Sequence, residues 1–415
     1  MLFFYRLIIN FIFLISPIII IYRILKKKED PKRFLEKIGK FNKKNTNNNL
    51  IWFHGSSVGE ILSIIPLIEN LEKRKSIKKI LITSNTLSSA KIINKLKLKK
   101  TFHQFFPLDA KFIVEKFLNH WKPKAVFFIE SEIWPNMILK IKEKNIPLIL
   151  LNARITKKSF KKWNGISSFA KKIFSEFDLC LGQNNKTCNY LKVLGAKNIK
   201  KIGNLKFSQT SSELKNISKS KIKKNFRNKK IIFSAVSTHK GEELFCGKVH
   251  SNLKKKYKNI ITIIIPRHIN RANEIKDELN SNNLNVHLHT SKRPVANNTD
   301  IYLVDTFGET KSFLKLSKIT FMGKSIYATG GQNPLEAARL GNRIIHGPNI
   351  ENFTEVYDFL KKHRISSKIR SYKDLENLVV KFEHKKNYSQ QIIKKLAYIG
   401  NQILLNNEKE INKYC

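Results

Sequence analysis

A carboxylate follows the first apolar run that has the character of a strand. The run at residues 50–53 leads into HGSSVGE (residues 54–60), after which isoleucines recur at helical spacing. The two glycines of this motif allow close approach to the backbone, and a helix amino terminus favours an anionic ligand. Glu60 is therefore a candidate general base. The alternative is a capping box, in which Ser57 and Glu60 exchange hydrogen bonds at the helix start and Glu60 has no catalytic role.

A second acidic site follows the apolar run at residues 125–129. The sequence there is ESEIWP, with Glu130 and Glu132 next to the end of the predicted strand. Neighbouring carboxylates raise each other's pKa and can serve in acid/base chemistry. The alternative is an ordinary helix start, with Pro135 in the first turn, Glu132 interacting with the helix dipole and Trp134 in the core.

The second half of the chain places an arginine in a similar position. The apolar run at residues 260–265 ends in Pro266 and Arg267. The planar guanidinium of Arg267 can donate two hydrogen bonds to a phosphate group. The alternative is a surface arginine paired with an acid. His268 is interpreted as a local hydrogen-bonding residue, because no second metal ligand has a suitable spacing.

Two further turns in the second half carry polar residues at predicted strand or helix ends. They are DTFGE (residues 305–309) and GGQNPLE (residues 330–336). In the second turn, Asn333 can cap a helix, Pro334 fits the first helical position and Glu336 takes the capping-box position. The glycine pair leaves space for a nucleotide, and Glu336 is suited to accept hydrogen bonds from two ribose hydroxyls.

The elements that must position these residues alternate between strand and helix. The predicted strands lie at residues 50–53, 79–83, 125–129, 148–151 and 179–181, and then at 231–236, 260–265, 301–304, 319–322 and 343–346. A polar stretch at residues 208–228 separates the two series. The pattern predicts an α/β protein with two facing, doubly wound Rossmann-like domains and a substrate cleft at the carboxyl ends of their strands.

Composition excludes several classes of protein. The chain has 415 residues, of which 41% are hydrophobic, and 79 Lys and Arg against 31 Asp and Glu give a net charge of +48. This apolar content excludes a disordered basic tail or a histone-like chain. The four cysteines form no C-x-x-C pair, which argues against a disulfide scaffold and a structural zinc site. The positive charge indicates either an anionic partner or a solvated lysine-rich surface.

The amino terminus has the pattern of a membrane anchor. Between Met1 and Tyr22 the strongly polar side chains are those of Arg6, Asn10 and Ser16. A helix of this length spans about 33 Å, enough to cross a bilayer. The segment lacks the small residues of a signal-peptide cleavage site. Basic residues follow the segment in excess, so the positive-inside rule predicts a single-pass protein with its amino terminus in the periplasm and its catalytic domains in the cytoplasm.

In combination, the motifs resemble those of the 3-deoxy-D-manno-octulosonic acid (Kdo) transferases of lipopolysaccharide synthesis. The motifs are WFHGSSVGE, FFPLD, IESEIWPN, LNARITKKS, GNLKF, STHKGEE, PRHINR, DTFGE, GGQNPLEAARLG and HGPNIENF. The resemblance runs from the anchor to about residue 360 and implies the two-domain GT-B glycosyltransferase fold. The expected parts are an anchor (1–22), an acceptor domain (23–207), a linker (208–228), a CMP-sugar-binding domain (229–385) and a helical segment (386–415).

The resemblance also implies roles for single residues. Glu60 corresponds to the general base, and Glu130 and Lys206 to residues that stabilise the transition state. The residues expected to hold CMP are Pro266, Arg267, Phe307, Gly308, Glu309, Asn333, Pro334, Leu335 and Glu336. Gln332 stands where many relatives are expected to have His. The expected reaction partners are CMP-Kdo as donor and the lipid A precursor lipid IVA as acceptor. Anionic lipids of the bacterial inner membrane are a further expected partner, and neither metal, cofactor nor nucleic acid is expected.

Three other classes of protein were weighed. A membrane-tethered protein that binds nucleic acid or another polyanion would explain the charge, but the sequence has no recognition-helix, RRM or zinc-finger signature. Another nucleotide-sugar transferase or epimerase of the same fold would leave GSSVGE and ESEIWP unexplained. A non-catalytic scaffold would be expected to lose Glu60 or Arg267. For the acceptor side we expect residues 61–71 and the lysine-rich segment 157–172 to matter, and at least two Kdo additions.

Overall fold

The computed structural model describes residues 1–41, 49–96, 98–208, 226, 231–383 and 388–415. The chain divides into a first unit, Met1–Gln209 with Ile399–Cys415, and a second unit, Thr210–Tyr398. Most of the predicted linker at 208–228 lies outside the described residues. The last helix of the chain, Tyr388–Ile411, begins in the second unit and ends in the first.

The first unit is built on a parallel sheet. Its strands within the described residues are β1 (Leu50–His54), β2 (Lys79–Ser84), β3 (Thr101–Phe105), β4 (Ala125–Ile129), β5 (Leu148–Ala153), β6 (Leu179–Gly182) and β7 (Ile199–Lys201). They are arranged in the order β3-β2-β1-β4-β5-β6-β7. The strand order reverses between β1 and β4, and in open parallel sheets ligands bind outside the carboxyl ends of the strands at such a point.

Helices cover the sheet of the first unit. They are α1 (Leu2–Leu25), α2 (Val58–Glu72), α3 (Leu87–Lys95), α4 (Lys111–Trp121), α5 (Pro135–Glu143), α6 (Lys157–Asn164), α7 (Ser167–Phe174) and α8 (Asn185–Val193). The strands β1 and β4 are buried along their whole length, as expected for a parallel sheet covered on both faces. Trp52 of β1 and Phe128 of β4 lie edge to face in the core, with ring centroids 5.6 Å apart.

The second unit repeats this architecture. Its described strands are β8 (Ile231–Thr238), β9 (Ile260–Pro266), β10 (Val286–Leu288), β11 (Ile301–Leu303), β12 (Ile319–Met322), β13 (Arg343–His346) and β14 (Ser366–Lys368), in the parallel order β10-β11-β9-β8-β12-β13-β14. The helices are α9 (Glu242–Lys256), α10 (Ala272–Ser281), α11 (Thr310–Leu314), α12 (Leu335–Arg339), α13 (Thr354–Lys362), α14 (Tyr372–Glu383) and α15 (Tyr388–Ile411).

The prediction of two doubly wound Rossmann-like domains is confirmed, and every predicted strand is present. The strands that the sequence analysis missed are β3, β7, β10 and β14, which lie at the sheet edges. Central strands of a parallel sheet are buried on both faces and have long β-branched runs, whereas edge strands bury less apolar surface. The edge strands β7 and β10, for example, have no fully buried residue.

The predicted anchor at residues 1–22 forms the helix α1, which extends three residues further, to Leu25. Within the described residues it is one helix that is long and apolar enough to cross a membrane. The structure also shows that one side of α1 packs against the first unit, which the composition of the helix does not reveal. Tyr5, for instance, is partly buried and donates a hydrogen bond to Asp109.

Candidate active site

Glu60 lies in the first turn of α2, directly after the carboxyl end of β1. The capping box that was weighed as the alternative role does form: Ser57 Oγ accepts a hydrogen bond from the Glu60 N–H (3.4 Å), and Glu60 Oε2 accepts one from the Ser57 N–H (3.4 Å). The Ser56 N–H donates to the same carboxylate oxygen at 2.6 Å, and Ser57 Oγ donates to Oε1 at 3.0 Å. These bonds fix the direction of the carboxylate.

The capping interactions do not make the Glu60 carboxylate inert. Burial, and then the negative charges of Glu132 and Glu130, raise the pKa of Glu60 to about 7, although the hydrogen bonds from Ser56 and Ser57 act in the opposite direction. The side chain remains partly exposed. A carboxylate with a pKa near neutrality that solvent can reach is suited to accept a proton at physiological pH. Capping and base catalysis are therefore compatible in the same residue.

Gly55 lets the turn before α2 pack tightly against the sheet. A Cβ atom at this position would lie 3.1 Å from Ile129 Cδ1 and 3.2 Å from Glu60 Cβ. A larger residue would therefore require the neighbouring side chains to shift by a few tenths of an ångström. The glycine thus serves the close approach of protein segments, in agreement with the close backbone approach predicted from the motif.

Glu130 forms an ion pair with Lys206 at the end of β4. The Lys206 Nζ atom lies 2.5 Å from Glu130 Oε1, and both side chains are mostly buried. Glu130 has a left-handed backbone conformation with φ +58°, which is unfavourable for a residue other than glycine or asparagine. Such strain is concentrated at functional sites in proteins. The structure therefore brings together two of the three residues that the resemblance assigned to catalysis.

The position of Lys206 depends on Asn152, at the end of β5. Lys206 belongs to a short 3₁₀ turn, Leu205–Ser208. The Leu205 N–H donates a hydrogen bond to Asn152 Oδ1 at 3.0 Å. The Lys206 N–H donates to Asn204 Oδ1 at 2.9 Å. Asn152 is buried and has φ +53°. Both amides thus orient the backbone that carries the lysine.

His54 and Glu132 form a second polar pair that the sequence analysis did not identify. His54 is fully buried, and its Nε2 lies 3.0 Å from Glu132 Oε2, which also accepts a hydrogen bond from Trp134 Nε1 at 2.8 Å. Burial by itself raises the pKa of Glu132, but the hydrogen bonds and charge of these partners hold it below the usual value. Glu132 therefore remains ionised and places a negative charge near Glu60. The sequence contains one signal for this pair: His54 and Glu132 belong to the motifs HGSSVGE and ESEIWP. These motifs follow β1 and β4, which are neighbours in the sheet.

The two segments expected on the acceptor side differ in their exposure to solvent. The helix residues at 61–71 are mostly buried in the core, although Glu69 is exposed, and their part in acceptor binding stays a prediction. The segment 157–172 forms α6 and α7 and exposes its lysines. The lysine-rich segment therefore remains the candidate for contact with an anionic acceptor.

In the second unit, the residues expected to hold CMP lie on three loops that follow strands. Pro266 ends β9, and the side chain of Arg267 after it is exposed, while its N–H donates to the Thr238 carbonyl. The Phe307 side chain is 78% exposed, and Gly308 has φ +90°. Glu309 accepts a hydrogen bond from Thr306 Oγ1 and pairs with His289 Nε2 at 3.1 Å. Arg267 and Phe307 are thus accessible to a ligand.

The turn before α12 differs from the prediction in its register. The helix begins at Leu335, so that Pro334 occupies the cap position, although Asn333 Oδ1 still accepts a hydrogen bond from the Leu335 N–H at 3.1 Å. The predicted capping-box interaction of Glu336 is replaced by an ion pair, in which Glu336 Oε1 lies 3.5 Å from Lys311 Nζ. The Glu336 side chain is half exposed and is therefore accessible to a ligand.

Glu242 was missed by the sequence analysis, although it lies in the quoted motif STHKGEE. It is fully buried at the start of α9 and accepts hydrogen bonds from the N–H groups of Lys324 (2.6 Å), Ser325 (2.8 Å) and Ile326 (3.0 Å). These residues open the loop after β12 that leads to the GGQNPLE turn. Glu242 therefore ties the loop after β12 to α9. Among the described residues, no cluster of three His, Cys, Asp or Glu side chains could hold a metal ion.

The fold defines the class of this protein. Two parallel Rossmann-like domains of this kind constitute the GT-B architecture, and solved structures share it. A UDP-N-acetylglucosamine 2-epimerase from Neisseria meningitidis matches 88% of this chain and 99% of its own, with a TM-score of 0.56 and 16% identity. A putative enzyme of the same name from Listeria monocytogenes matches 88% and 97%, with a TM-score of 0.59 and 12% identity. At these identities the likeness shows the fold alone.

Sequence relatives show the family. A profile described as 3-deoxy-D-manno-octulosonic-acid transferase matches residues 32–209. The 3-deoxy-D-manno-octulosonic acid transferase of Rickettsia bellii is 34% identical over 370 residues, which cover 88% of each chain. The enzyme of that name from Haemophilus influenzae is 28% identical over 367 residues, 88% of this chain and 85% of its own. The chain belongs to the Kdo transferase family, whose reaction is Kdo transfer in lipopolysaccharide synthesis, and it is a glycosyltransferase.

Proposed function

We propose that this protein transfers Kdo from CMP-Kdo to a hydroxyl group of lipid IVA, without a metal ion and with Glu60 as general base. The observation that carries the proposal is the state of Glu60: hydrogen bonds orient its carboxylate, and its pKa is raised to about 7. A base in this state can take a proton from an alcohol as the new bond forms, and positioned carboxylates of this kind contribute about 10²- to 10⁴-fold to rate.

The proposed reaction is a single group transfer. The bond between the anomeric carbon of Kdo and the phosphate oxygen of CMP breaks, and its electron pair leaves with CMP. The acceptor oxygen bonds to the anomeric carbon, and its proton passes to Glu60. As positive charge develops on the sugar ring, the negative charge of Glu130 stabilises it, while Lys206 can bind a carboxylate or phosphate oxygen.

The leaving group needs positive charge at the donor site. CMP departs as a phosphate monoester, and the exposed guanidinium of Arg267 can donate two hydrogen bonds to it. Residues 307–309 and 333–336 complete the proposed donor site, with Glu336 on the ribose hydroxyls. This arrangement supplies the charge stabilisation that a divalent metal would otherwise supply.

We place the reaction at the cytoplasmic face of the inner membrane. The family, the apolar helix α1 and the exposed lysines of α6 and α7 support this location, because the acceptor is a phosphorylated lipid. Basic residues near anionic lipids contribute about 1 kcal/mol each to membrane attachment. The enzyme and its acceptor would then meet by diffusion in one plane.

The proposal is tested with purified full-length protein, labelled CMP-Kdo and lipid IVA in the presence of EDTA. The expected result is a labelled lipid product whose mass increases by one or more Kdo units. Parallel reactions with UDP-sugars should give no product. Transfer that depends on an added divalent metal would contradict the metal-independent mechanism, and transfer from a UDP-sugar alone would contradict the assignment of the donor.

A further inference from the structure

The helix α1 is tied to the first unit near its beginning. The Tyr5 hydroxyl donates a hydrogen bond to Asp109 Oδ2 at 2.6 Å, and Arg6 Nε donates one to Asn136 Oδ1 at 3.0 Å. Asp109 is 2% exposed and also accepts hydrogen bonds from the N–H groups of Asn136 and Met137. It therefore caps α5 and holds α1 with the same carboxylate. Asp109 and Asn136 lie in FFPLD and IESEIWPN, and neither residue has a role in the proposed reaction.

The contact continues beyond the first turns of α1. The Phe13 ring lies edge-on to Phe112, with centroids 4.9 Å apart, and Ser16 and Ile20 are buried. Most of the positions that are buried or partly buried recur at the spacing of one helix face, and Ile15 is partly buried away from it. The positions on the face are Leu2, Tyr5, Arg6, Ile9, Ile12, Phe13, Ser16, Ile20, Arg23 and Ile24. A helix of 24 residues is about 36 Å long. Side-chain contacts with the first unit thus extend from Tyr5 to Phe13, and buried side chains continue to Ile20.

The opposite face of α1 is apolar and exposed. Its side chains include Phe4, Leu7, Phe11, Leu14 and Ile18, each more than half exposed. An apolar patch of this length on a protein surface indicates contact with a partner or a membrane. The exposed face, like the covered one, extends from the first turn of the helix to the last.

A membrane-spanning orientation is incompatible with these contacts. In a spanning helix, Tyr5 and Arg6 would lie about 30 Å from the cytoplasmic end, across the hydrocarbon core. They could then not bond to Asp109 and Asn136, and Arg6 and the hydroxyl of Tyr5 would lose their partners. The buried carboxylate of Asp109 would lose one hydrogen bond as well.

We propose that α1 lies in the plane of the membrane on its cytoplasmic surface, docked to the first unit by Tyr5 and Arg6, with its exposed face among the lipid acyl chains. The proposal replaces the single-pass topology expected from the sequence, and it does not depend on the proposed reaction. Helices that lie in the membrane interface bury their apolar face at the boundary between headgroups and acyl chains.

The charges at both ends of α1 favour an anionic bilayer as the partner. Lys26, Lys27 and Lys28 are exposed immediately after the helix. At its beginning, the Tyr5 ring lies 6.5 Å from the ring of Phe169 on α7. The helices α6 and α7 carry exposed lysines, namely Lys157, Lys158, Lys161, Lys162, Lys171 and Lys172. Positive side chains beside an inserted apolar face attract anionic headgroups.

Spin labels on full-length protein in vesicles of phosphatidylethanolamine and phosphatidylglycerol test the orientation. Cysteines are introduced singly at Phe4, Phe11 and Ile18 after the partly exposed Cys188 and Cys415 are replaced by serine. Depth is measured from the accessibility of each label to oxygen and to a water-soluble nickel complex. The in-plane helix predicts similar, shallow depths at all three positions. A label at Ile20, which is 7% exposed on the covered face, should be shielded from both reagents.

Other depth profiles would overturn the proposal. A spanning helix would place Phe11 deepest, and a Phe4→Cys protein in spheroplasts would react with an impermeant maleimide from outside. Labels at the outer positions that are fully water-accessible would exclude lipid contact. Labels at those positions that are shielded from both reagents would indicate a second copy of the chain on this face.

A second measurement separates docking from simple insertion. Tyr5→Phe combined with Arg6→Gln removes the polar contacts while the helix remains apolar. If α1 is docked, amide hydrogen exchange in residues 2–12 should become faster by tenfold or more, with the exchange of β1 and β4 unchanged. Unchanged exchange in α1 would show that these contacts do not hold the helix and would overturn the docked arrangement.

Discussion

The Lys206 Nζ atom lies 2.5 Å from Glu130 Oε1 and compensates the charge of a carboxylate that is almost completely buried. Glu130 comes from the end of β4, whereas Lys206 comes from the 3₁₀ turn at the end of the first unit's main segment. Removing one member of a buried ion pair leaves an uncompensated charge, which costs about 3 to 5 kcal/mol in proteins. The pair is therefore both a structural element and a candidate catalytic element.

The two roles of this pair can be separated with a double variant. Lys206→Met should lower the free energy of unfolding by about 3 kcal/mol, because Glu130 loses its partner. Adding Glu130→Gln should restore most of the stability but not the transfer activity. Urea unfolding and the Kdo transfer assay measure the two effects. Recovery of activity together with stability would show that the pair is structural only.

The second prediction concerns the base. Glu60→Gln retains an amide oxygen for the capping interactions but cannot accept a proton, so kcat should fall by about 10²- to 10⁴-fold while the protein stays folded. Glu69→Gln is the matched control, because Glu69 is an exposed carboxylate on the same helix. Near-normal transfer by a folded Glu60→Gln protein would refute the assignment of the base.

The pH dependence of transfer follows from the raised pKa of Glu60. A general base must be deprotonated, so kcat/KM should rise with pH to a plateau, with a midpoint near the pKa of about 7. Glu132→Gln removes one of the negative charges that raise this pKa, and the midpoint should therefore move to lower pH. A midpoint that is unchanged in this variant would mean that Glu132 does not influence the titrating group.

The same pKa has a consequence for stability. Because the folded-state pKa of Glu60 lies above its unfolded value of 4.5, ionisation of Glu60 destabilises the folded state as pH rises from 4.5 to about 7. Glu60→Gln should remove this contribution. Urea unfolding at pH 5 and pH 8 should therefore show a smaller loss of stability at pH 8 in the variant than in the unmodified protein. An identical loss in both proteins would contradict the raised pKa.

The donor site predicts an effect on nucleotide binding. Arg267→Ala should weaken CMP binding by about 1.5 to 3 kcal/mol, the usual contribution of a hydrogen bond to a charged group. Arg293→Ala is the control, because Arg293 is also an exposed arginine of the second unit but follows no strand end. Calorimetry of CMP binding measures both. Unchanged affinity in Arg267→Ala would move the phosphate site elsewhere.

Glu242 provides a prediction about the loop after β12. In Glu242→Gln, one carboxylate oxygen becomes an amide NH₂ that faces backbone donors, so at least one N–H of Lys324, Ser325 or Ile326 loses its acceptor. The expected cost is about 1 to 3 kcal/mol of stability, together with faster amide exchange at these residues. Urea unfolding and hydrogen exchange detect it. Unaltered protection of the loop would show that Glu242 does not hold it.

The sequence by itself determined the architecture and the residues at the strand ends. Buried central strands such as β4 and β9 are continuous apolar runs. A strand that is buried on both faces needs apolar side chains at every position, so the pattern is visible in the sequence. The capping box at Ser57 and Glu60 is also local, since it depends on a spacing of three residues. The membership of the Kdo transferase family follows from the motifs, which are likewise contiguous segments.

The tertiary structure decided which of these residues act on one another. The strand order places β1 beside β4, and this neighbourhood pairs His54 with Glu132 and puts two carboxylates close enough to raise the pKa of Glu60. No spacing in the sequence encodes these distances, because electrostatic interactions depend on separation in space and on burial.

The helix α1 shows the same limit most clearly. Its hydropathy predicts a membrane-spanning segment, because hydropathy sums the side chains without regard to direction. The direction matters here: one face packs on the first unit through Tyr5 and Phe13, and the other is exposed. Both faces are largely apolar, and the few polar side chains of the covered face, such as Tyr5 and Arg6, do not reveal from the sequence alone that they bond to the first unit. Packing against the folded domain is what makes that distinction.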